Sequence, residues 1–395
     1  MYKDIPSETS KVSFSTFKRL FYTEYNIGFS SPAVDACGTC MNLKNAAKLK
    51  QGDEKGKVLT ALRIHKVRSN EFYKLASEDI PQSLSFCFDL QQVQPLPKSP
   101  IQDAFYLRQI SFYAFCCVDM GSKRPTFFTW DETQARRGAT EISSAILSYL
   151  RSLNFDNCKL LRLFCDGCAG QNKNSYVVHT LTYWLRNEAP PSVLEIILHF
   201  PVRGHSFADR VFGRVGKILK KTTVICDPEE YNELYRQVDE VQRLGKEWKL
   251  YNVKQLSDVV YSKLVGMKNF KRLRLKRIEK GNQKIVKDIG YQFYRFQSDN
   301  DEFHTMLKRG KSENFKLKFF PLGNPITEEK KQNVKTLFGK QFTNEDTKWE
   351  ELPELQFYKQ IIFGGRAEES IAEDEAAVEE SEVCDCMEDD CDVHV

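Results

Sequence analysis

The stretch that decides the fold is residues 160–174, which read LLRLFCDGCAGQNKN. Its apolar first part predicts a buried strand, and the amphipathic residues 175–185 that follow predict a helix. Asp166 therefore stands at the carboxyl end of a strand, ahead of a turn rich in small and amide side chains. In α/β proteins this is the edge of the sheet where ligands bind. Asp166 is accordingly the first candidate for a functional residue.

Elements of both kinds alternate on either side of this stretch. In chain order, the pattern predicts strands at 83–90, 108–118 and 125–130, a helix at 138–153, a strand at 159–165, a helix at 175–186, a strand at 193–200 and a helix at 206–220. The order β-β-β-α-β-α-β-α is that of a ribonuclease-H-like α/β core. In that fold the first and fourth strands are neighbours, and the last helix packs near their ends.

Three aspartates fall on those three elements. Asp89 ends the first strand, Asp166 ends the fourth, and Asp209 lies in the last helix. Clustered carboxylates repel one another unless cations lie between them. Two Mg²⁺ (or Mn²⁺) ions would neutralise them and bind the attacking and leaving oxygens of a phosphodiester. The alternative for Asp209 is a capping role, because Ser206-x-x-Asp209 has the spacing of a capping box.

Further polar residues surround the predicted cluster. Glu141 opens the helix after the third strand, and is either a fourth metal-facing carboxylate or an acid matched to the helix dipole. His205 either assists proton transfer at the phosphate or is a structural hydrogen-bonding residue. Lys173 adds positive charge where the next helix begins, a place that attracts phosphate. Asn174 is predicted to be the N-cap of that helix.

The flanking segments differ in composition from the core at 81–225. Residues 1–80 are predicted to form a helical module that carries a C-x2-C motif, residues 226–365 a small basic α+β module, and residues 366–395 an acidic, disordered tail. The net charge of +4 hides this separation of basic and acidic stretches.

Cys37 and Cys40 have the spacing of a zinc-binding pair, and His65 follows on a predicted helix. The chain has 12 Cys, and its first residues show no apolar core of a signal peptide. We therefore expect a reducing compartment, with thiols or metal ligands in place of disulfides. No stretch approaches the roughly 20 apolar residues of a membrane span, so no membrane association is expected.

A basic strand is predicted within 268–287. Its cationic side chains are Lys271, Arg272, Arg274, Lys276 and Arg277. Together they could neutralise a phosphate backbone or act as a nuclear localisation signal. A solvated charged face is the alternative. On the first two interpretations, the partner is DNA and the location is the nucleus.

Three motifs together resemble one protein family. They are CDGCAGQNKN at 165–174, FDLQQVQPLP at 88–97 and HSFADRVFG at 205–213. They are similar to a family of transposon-derived proteins of animal genomes with the motif C-D-x-C-x-G-Q-N-K-N. The core of that family resembles the ribonuclease-H-like catalytic domain of DDE/D cut-and-paste transposases.

This resemblance implies a catalytic triad at Asp89, Asp166 and Asp209, with Asp as the third acid where Glu is commoner. It implies a metal-dependent nuclease or transposase acting on DNA. Besides DNA, a second copy of the chain in a homo-oligomer is a candidate partner. The alternative is a catalytically inactive, domesticated remnant that binds nucleic acid or serves as a scaffold.

Overall fold

The computed structural model describes residues 13–24, 37–201, 207–267, 270–279, 286–294, 304–311, 315–343 and 348–364. His205, Ser206 and the acidic tail at 366–395 lie outside the described residues. The chain divides into two compact units, 1–62 and 63–395. None of the helices in the described parts is both long and apolar enough to cross a bilayer.

The helices and strands largely follow the predicted pattern. The helices are α1 (Phe14–Glu24), α2 (Gly38–Leu49), α3 (Gly52–Ser77), α4 (Asp103–Tyr106), α5 (Ala139–Ser152), α6 (Ser175–Asn187), α7 (Ala208–Leu219), α8 (Pro228–Arg236), α9 (Val253–Val260), α10 (Glu328–Gln341) and α11 (Gln356–Phe363). The strands are β1 (Ser83–Leu90), β2 (Gln94–Leu96), β3 (Ile110–Asp119), β4 (Pro125–Asp131), β5 (Leu160–Cys165), β6 (Glu195–His199), β7 (Glu240–Arg243), β8 (Arg272–Glu279), β9 (Val286–Tyr294) and β10 (His304–Thr305).

In the first unit, α1 and α2 precede the start of α3, which runs on through the boundary at Leu62. The buried side chains of α2 are Cys40 and Ala47. Most of the charged and polar side chains of α2 are exposed. The second unit contains all the strands.

The strands form one mixed sheet in the order β10-β9-β8-β6-β5-β1-β3-β4-β7, with β2 paired to β3. β1 runs parallel to β5, and β5 runs parallel to β6, whereas β3 is antiparallel to both β1 and β4. The fold is therefore α/β. In the β1–β5 pair, Phe88 stands opposite Cys165. The next residues are Asp89 and Asp166, so the two aspartates lie side by side at the ends of adjacent parallel strands, as the element order predicts.

The alternation of side chains along β1 separates the two faces of the sheet. Phe86, Phe88 and Leu90 belong to the core cluster that contains the apolar side of α5 and α6. Cys87 belongs to the other cluster, with Val211 and Val215 of α7. Asp89 alternates in the same direction as Cys87. The aspartates therefore lie on the α7 side, and α5 covers the opposite side.

The segment predicted as a separate module at 226–365 is joined to this sheet. β7 pairs with β4 at one edge, and β8 pairs with β6 on the far side. Helix α8 ends at Arg236, and the following residues place Val241 of β7 opposite Phe127 of β4. The strands from the two predicted segments thus make one continuous sheet.

Candidate functional site

The two aspartates share one amide. Asn172 donates from Nδ2 to Asp166 Oδ1 at 2.6 Å and to Asp89 Oδ1 at 3.4 Å. The two carboxylate oxygens therefore lie no farther apart than the sum of those distances. Asn172 is 0% exposed, and among the described residues its Oδ1 has no hydrogen-bond partner. A buried amide oxygen that accepts no hydrogen bond lowers the free energy of unfolding. Asn172 therefore keeps an unused acceptor oxygen next to two carboxylates.

The turn after β5 explains how Asn172 reaches this position. The Cys168 carbonyl accepts the backbone N–H groups of Asn172 and Lys173, both at 2.9 Å. The Asp166 carboxylate accepts from the Cys168 N–H at 3.1 Å, which closes the other side of the turn. Asn174 then caps α6 by accepting from the Val177 N–H, as predicted. These backbone amides are satisfied within the turn and do not offer the phosphate-binding group that the sequence suggested.

Electrostatics couples the third aspartate to this pair. Burial raises the pKa of Asp166; hydrogen bonds from Asn172 and Cys168 oppose that shift, and the negative charge of Asp209 adds to it. Asp209 is exposed in the first turn of α7. Among the described residues, however, the three carboxylates do not form a group whose ligand atoms all lie within 4.8 Å of one another. The structure thus joins Asp89 with Asp166 and places Asp209 within electrostatic range of Asp166.

Two other predicted site residues have different surroundings from those expected. Glu141 lies on α5, the helix that covers the opposite side of the sheet, and accepts hydrogen bonds from backbone N–H groups at its own helix N-terminus. This fits the alternative of an acid matched to the helix dipole, and α5 lies on the side of the sheet opposite the aspartates. Lys173 is only 8% exposed, with its Nζ 5.1 Å from the ring centroid of Phe200. Lys173 therefore does not lie on an open binding face.

Glu141 is expected to make the stability of the fold depend on pH. Burial raises its pKa to about 7, although backbone amides and Arg136 favour the charged form. Between the ordinary pKa of 4.5 and about 7, the folded protein holds a proton that the unfolded chain releases. The free energy of unfolding therefore falls as pH rises through this window, by about 3 kcal/mol in all.

Glu141→Gln is expected to remove that loss, because an amide has the same charge at every pH. The variant should match the wild type at about pH 4 and below, and exceed its stability at pH 8 by up to about 3 kcal/mol. Urea unfolding of both proteins across this range measures the effect. The difference in unfolding free energy between the two proteins is the quantity to compare. Burial also lowers the pKa values of His179 and His199, and these residues add a separate pH dependence at acidic pH. Parallel curves for the two proteins would contradict the assignment.

The predicted basic strand is partly engaged within the protein. Arg274 pairs with Glu195 across the β6–β8 ladder, with its Nη2 at 3.0 Å from Oε2. Arg277 donates from Nε to the Val193 carbonyl at 2.9 Å and from Nη2 to the Ala189 carbonyl at 3.1 Å. Lys276 is exposed, whereas Lys271 and Arg272 are half-buried. Two of the five cations thus bind acceptors on β6 and on the segment just before it.

Cys37, Cys40 and His65 form a group that could hold a metal ion. One ligand atom from each lies within 4.8 Å of the others. Cys37 ends the segment before α2, Cys40 lies in the first turn of α2, and His65 lies on α3. Cys40 and His65 are buried. The C-x2-C spacing and the distant histidine are therefore brought together as the sequence predicted.

Comparison with known proteins adds little to this description. No protein family model matches the chain. No curated protein matches it. Among solved structures the chain is similar to the crystal structure of NurA, at 11% identity and a TM-score of 0.15, over 57% of this chain and 51% of that chain. The chain thus matches about half the length of the NurA chain, at a similarity too low to define a fold or a function.

Proposed function

We propose that this protein is a metal-dependent nuclease of the transposase type, with a ribonuclease-H-like core that acts on DNA phosphodiesters. The observation that carries the proposal is the sharing of the Asn172 amide by Asp89 and Asp166. The strand order β4-β3-β1-β5-β6, with β3 alone antiparallel among them, supports a ribonuclease-H-like core. So do the motifs at 88–97, 165–174 and 205–213.

The donor set at this position fits a hard divalent cation. Two carboxylates and an amide oxygen are the ligands that Mg²⁺ and Mn²⁺ take in proteins. The Asn172 Oδ1 without a partner is the feature that a cation would satisfy. Asp89 and Asp166 would hold the metal, and Asn172 would complete the set after rotation of its amide. When bound, the ion would polarise the phosphodiester and lower the pKa of a water molecule.

The exposure of Asp89 and Asp209 indicates from which side DNA would approach this site. Asp89 is buried, whereas Asp209 is exposed and close enough for its negative charge to raise the pKa of Asp166. Asp209 adds negative charge at the solvent side of the pair, where it would raise the affinity for a cation. The carboxylates are therefore reachable from the α7 side of the sheet.

The test is cleavage of labelled DNA by the purified protein. We expect products with Mg²⁺ or Mn²⁺, no products with EDTA, and recovery when excess Mg²⁺ is restored. Ca²⁺, which binds oxygen ligands with looser geometry, serves as the matched control. If the protein binds DNA but cleaves it under none of these conditions, the inactive remnant is the correct reading.

We infer that the Cys37, Cys40 and His65 group holds Zn²⁺. Thiolate and imidazole ligands suit zinc, and four ligands are usual in a structural site. The group would then tie the start of α2 to α3. This role is separate from the carboxylate pair, since thiolates are poor ligands for Mg²⁺.

Removal of one thiolate is expected to remove the zinc. The wild type should contain about one zinc per chain, and Cys40→Ser much less, since three of the usual four ligands come from this group. Elemental analysis after dialysis measures this, and Cys158→Ser is the control for loss of a buried cysteine outside the group. Equal zinc content in the wild type and Cys40→Ser, or zinc in neither, would end the assignment.

A further inference from the structure

Helix α7 carries a cationic face that the function above does not use. Its apolar side, with Val211, Val215 and Leu219, is buried against the sheet. The other side and the residues just beyond it are basic: Arg210, Arg214, Lys217, Lys220 and Lys221, all exposed. In the described parts of the chain, none of these five belongs to an ion pair. We call this set the α7 stripe.

The cations of the α7 stripe form a row along the helix. Arg210, Arg214 and Lys217 are three or four residues apart within α7, so they lie on one side of the helix, and Lys220 and Lys221 follow directly after its last residue. At 1.5 Å per residue the helical part of the stripe is about 10 Å long, with about 5 to 6 Å between successive groups. Such a row of cations can neutralise several phosphates of one strand.

Helix α7 packs against β1, the strand that carries Asp89. At its N-terminal end Phe207 contacts Tyr73, and the neighbouring Phe72 contacts Phe164, two residues before Asp166. Asp209, beside Arg210, is the residue whose charge raises the pKa of Asp166. A phosphate backbone held along the stripe would therefore arrive at Asp166. It would leave in the direction of Lys221, away from the acids.

An aromatic cluster lies at the same end. Phe207 precedes α7, with the Arg210 guanidinium 5.3 Å and the Lys123 Nζ 6.0 Å from its ring centroid. The Tyr73 ring meets Phe207 edge-on at 5.7 Å between centroids. Half-buried rings beside cations are typical of surfaces that bind single strands, where bases stack on aromatic side chains.

We propose that the α7 stripe and Phe207 bind single-stranded nucleic acid and guide it to Asp89 and Asp166. The direction of the strand rests on the proposed nuclease function, whereas the binding itself needs no metal. The chemistry is neutralisation of phosphates by the stripe, together with base stacking at Phe207. Duplex DNA, whose bases are not free to stack, should bind more weakly.

The experiment measures binding of a labelled single-stranded oligonucleotide in EDTA over a range of salt. The variant is the full chain with Lys217→Gln, Lys220→Gln and Lys221→Gln. Its matched control carries Lys246→Gln, Lys254→Gln and Lys335→Gln, which removes the same charge from exposed lysines elsewhere. The stripe variant should bind at least about tenfold more weakly at low salt, with a salt slope lower by about two. The control should bind like the wild type.

Equal weakening in both triple variants would mean a general charge effect and would overturn the proposal. So would wild-type affinity in the stripe variant, or equal affinity of the wild type for single strands and duplex. Phe207→Ala should weaken binding by about tenfold, and Phe207→Tyr should restore it; no difference between these two variants would remove the stacking step. Binding through the stripe without cleavage in Mg²⁺ would reject the nuclease function and leave the α7 stripe in place.

Discussion

Asp166→Asn is expected to lower metal-dependent DNA cleavage by about 10³-fold. An amide has no negative charge and is a poorer metal ligand, so the Lewis-acid contribution of several kcal/mol is lost; at 1.36 kcal/mol for each factor of ten, this is about three orders of magnitude. The Asn side chain keeps an oxygen for the Asn172 and Cys168 donors, so the turn should stay folded. Single-turnover cleavage rates at saturating Mg²⁺ measure the effect.

The matched control is Asp156→Asn, a change of the same kind at an exposed loop aspartate. Its cleavage rate should equal that of the wild type. Oligonucleotide binding in EDTA should be retained by Asp166→Asn, which separates a chemical defect from a folded-state defect. Wild-type cleavage by Asp166→Asn would show that the activity arises elsewhere in the protein or from a contaminant.

Arg162→Met is expected to lower the free energy of unfolding by about 3 kcal/mol. Arg162 is 2% exposed on β5, and it donates to the Glu78 carbonyl at 2.9 Å and to the Leu75 carbonyl at the end of α3. Those carbonyls are among the groups that a helix end cannot satisfy itself. Each hydrogen bond from a charged donor contributes about 1.5 to 3 kcal/mol, and relief of the buried charge offsets part of the loss.

Urea unfolding of the second unit measures this change, with Arg162→Lys as the control that keeps the charge but has a single donor group. We expect the Lys variant to fall between the wild type and Arg162→Met. The guanidinium also lies 5.3 Å from the Phe164 ring centroid, a contact that Lys would keep only in part. An unchanged unfolding midpoint for Arg162→Met would mean that water replaces the guanidinium at both carbonyls.

Apart from the short β2 and α4, which were not predicted, the order of strands and helices from β1 to α7 could be predicted from the sequence because each longer element there has a clear period. Apolar runs gave the strands, and the three-to-four spacing gave α5, α6 and α7. The N-cap of α6 was also predicted correctly, because Asn174 accepts from the Val177 N–H. Local chemistry determines these features, so a single sequence contains them.

Features that depend on distant partners were not predictable in this way. Arg162 looks like an interruption in an apolar strand, and only the end of α3 explains it. Asn172 looks like one more polar residue of a turn, and only β1 brings Asp89 to it. β7 has four residues and one buried side chain, too short for a period, and it forms because β4 offers an open edge. The α7 stripe is visible in the sequence as basic residues three and four apart. Its proposed role depends on the nearness of Asp209 to Asp166, which only the fold brings about.

The pairing of β7 with β4 and of β8 with β6 decides which shortened forms of this chain can persist in a cell. A product that stopped at residue 225 would contain Asp89, Asp166 and Asp209. Its two edge strands, β4 and β6, would however have lost their partners β7 and β8. Unpaired edge strands form hydrogen bonds with strands of other molecules and so lead to aggregation. A chain truncated there is therefore expected to aggregate. Any functional descendant of this chain has to keep the residues on both sides of that point.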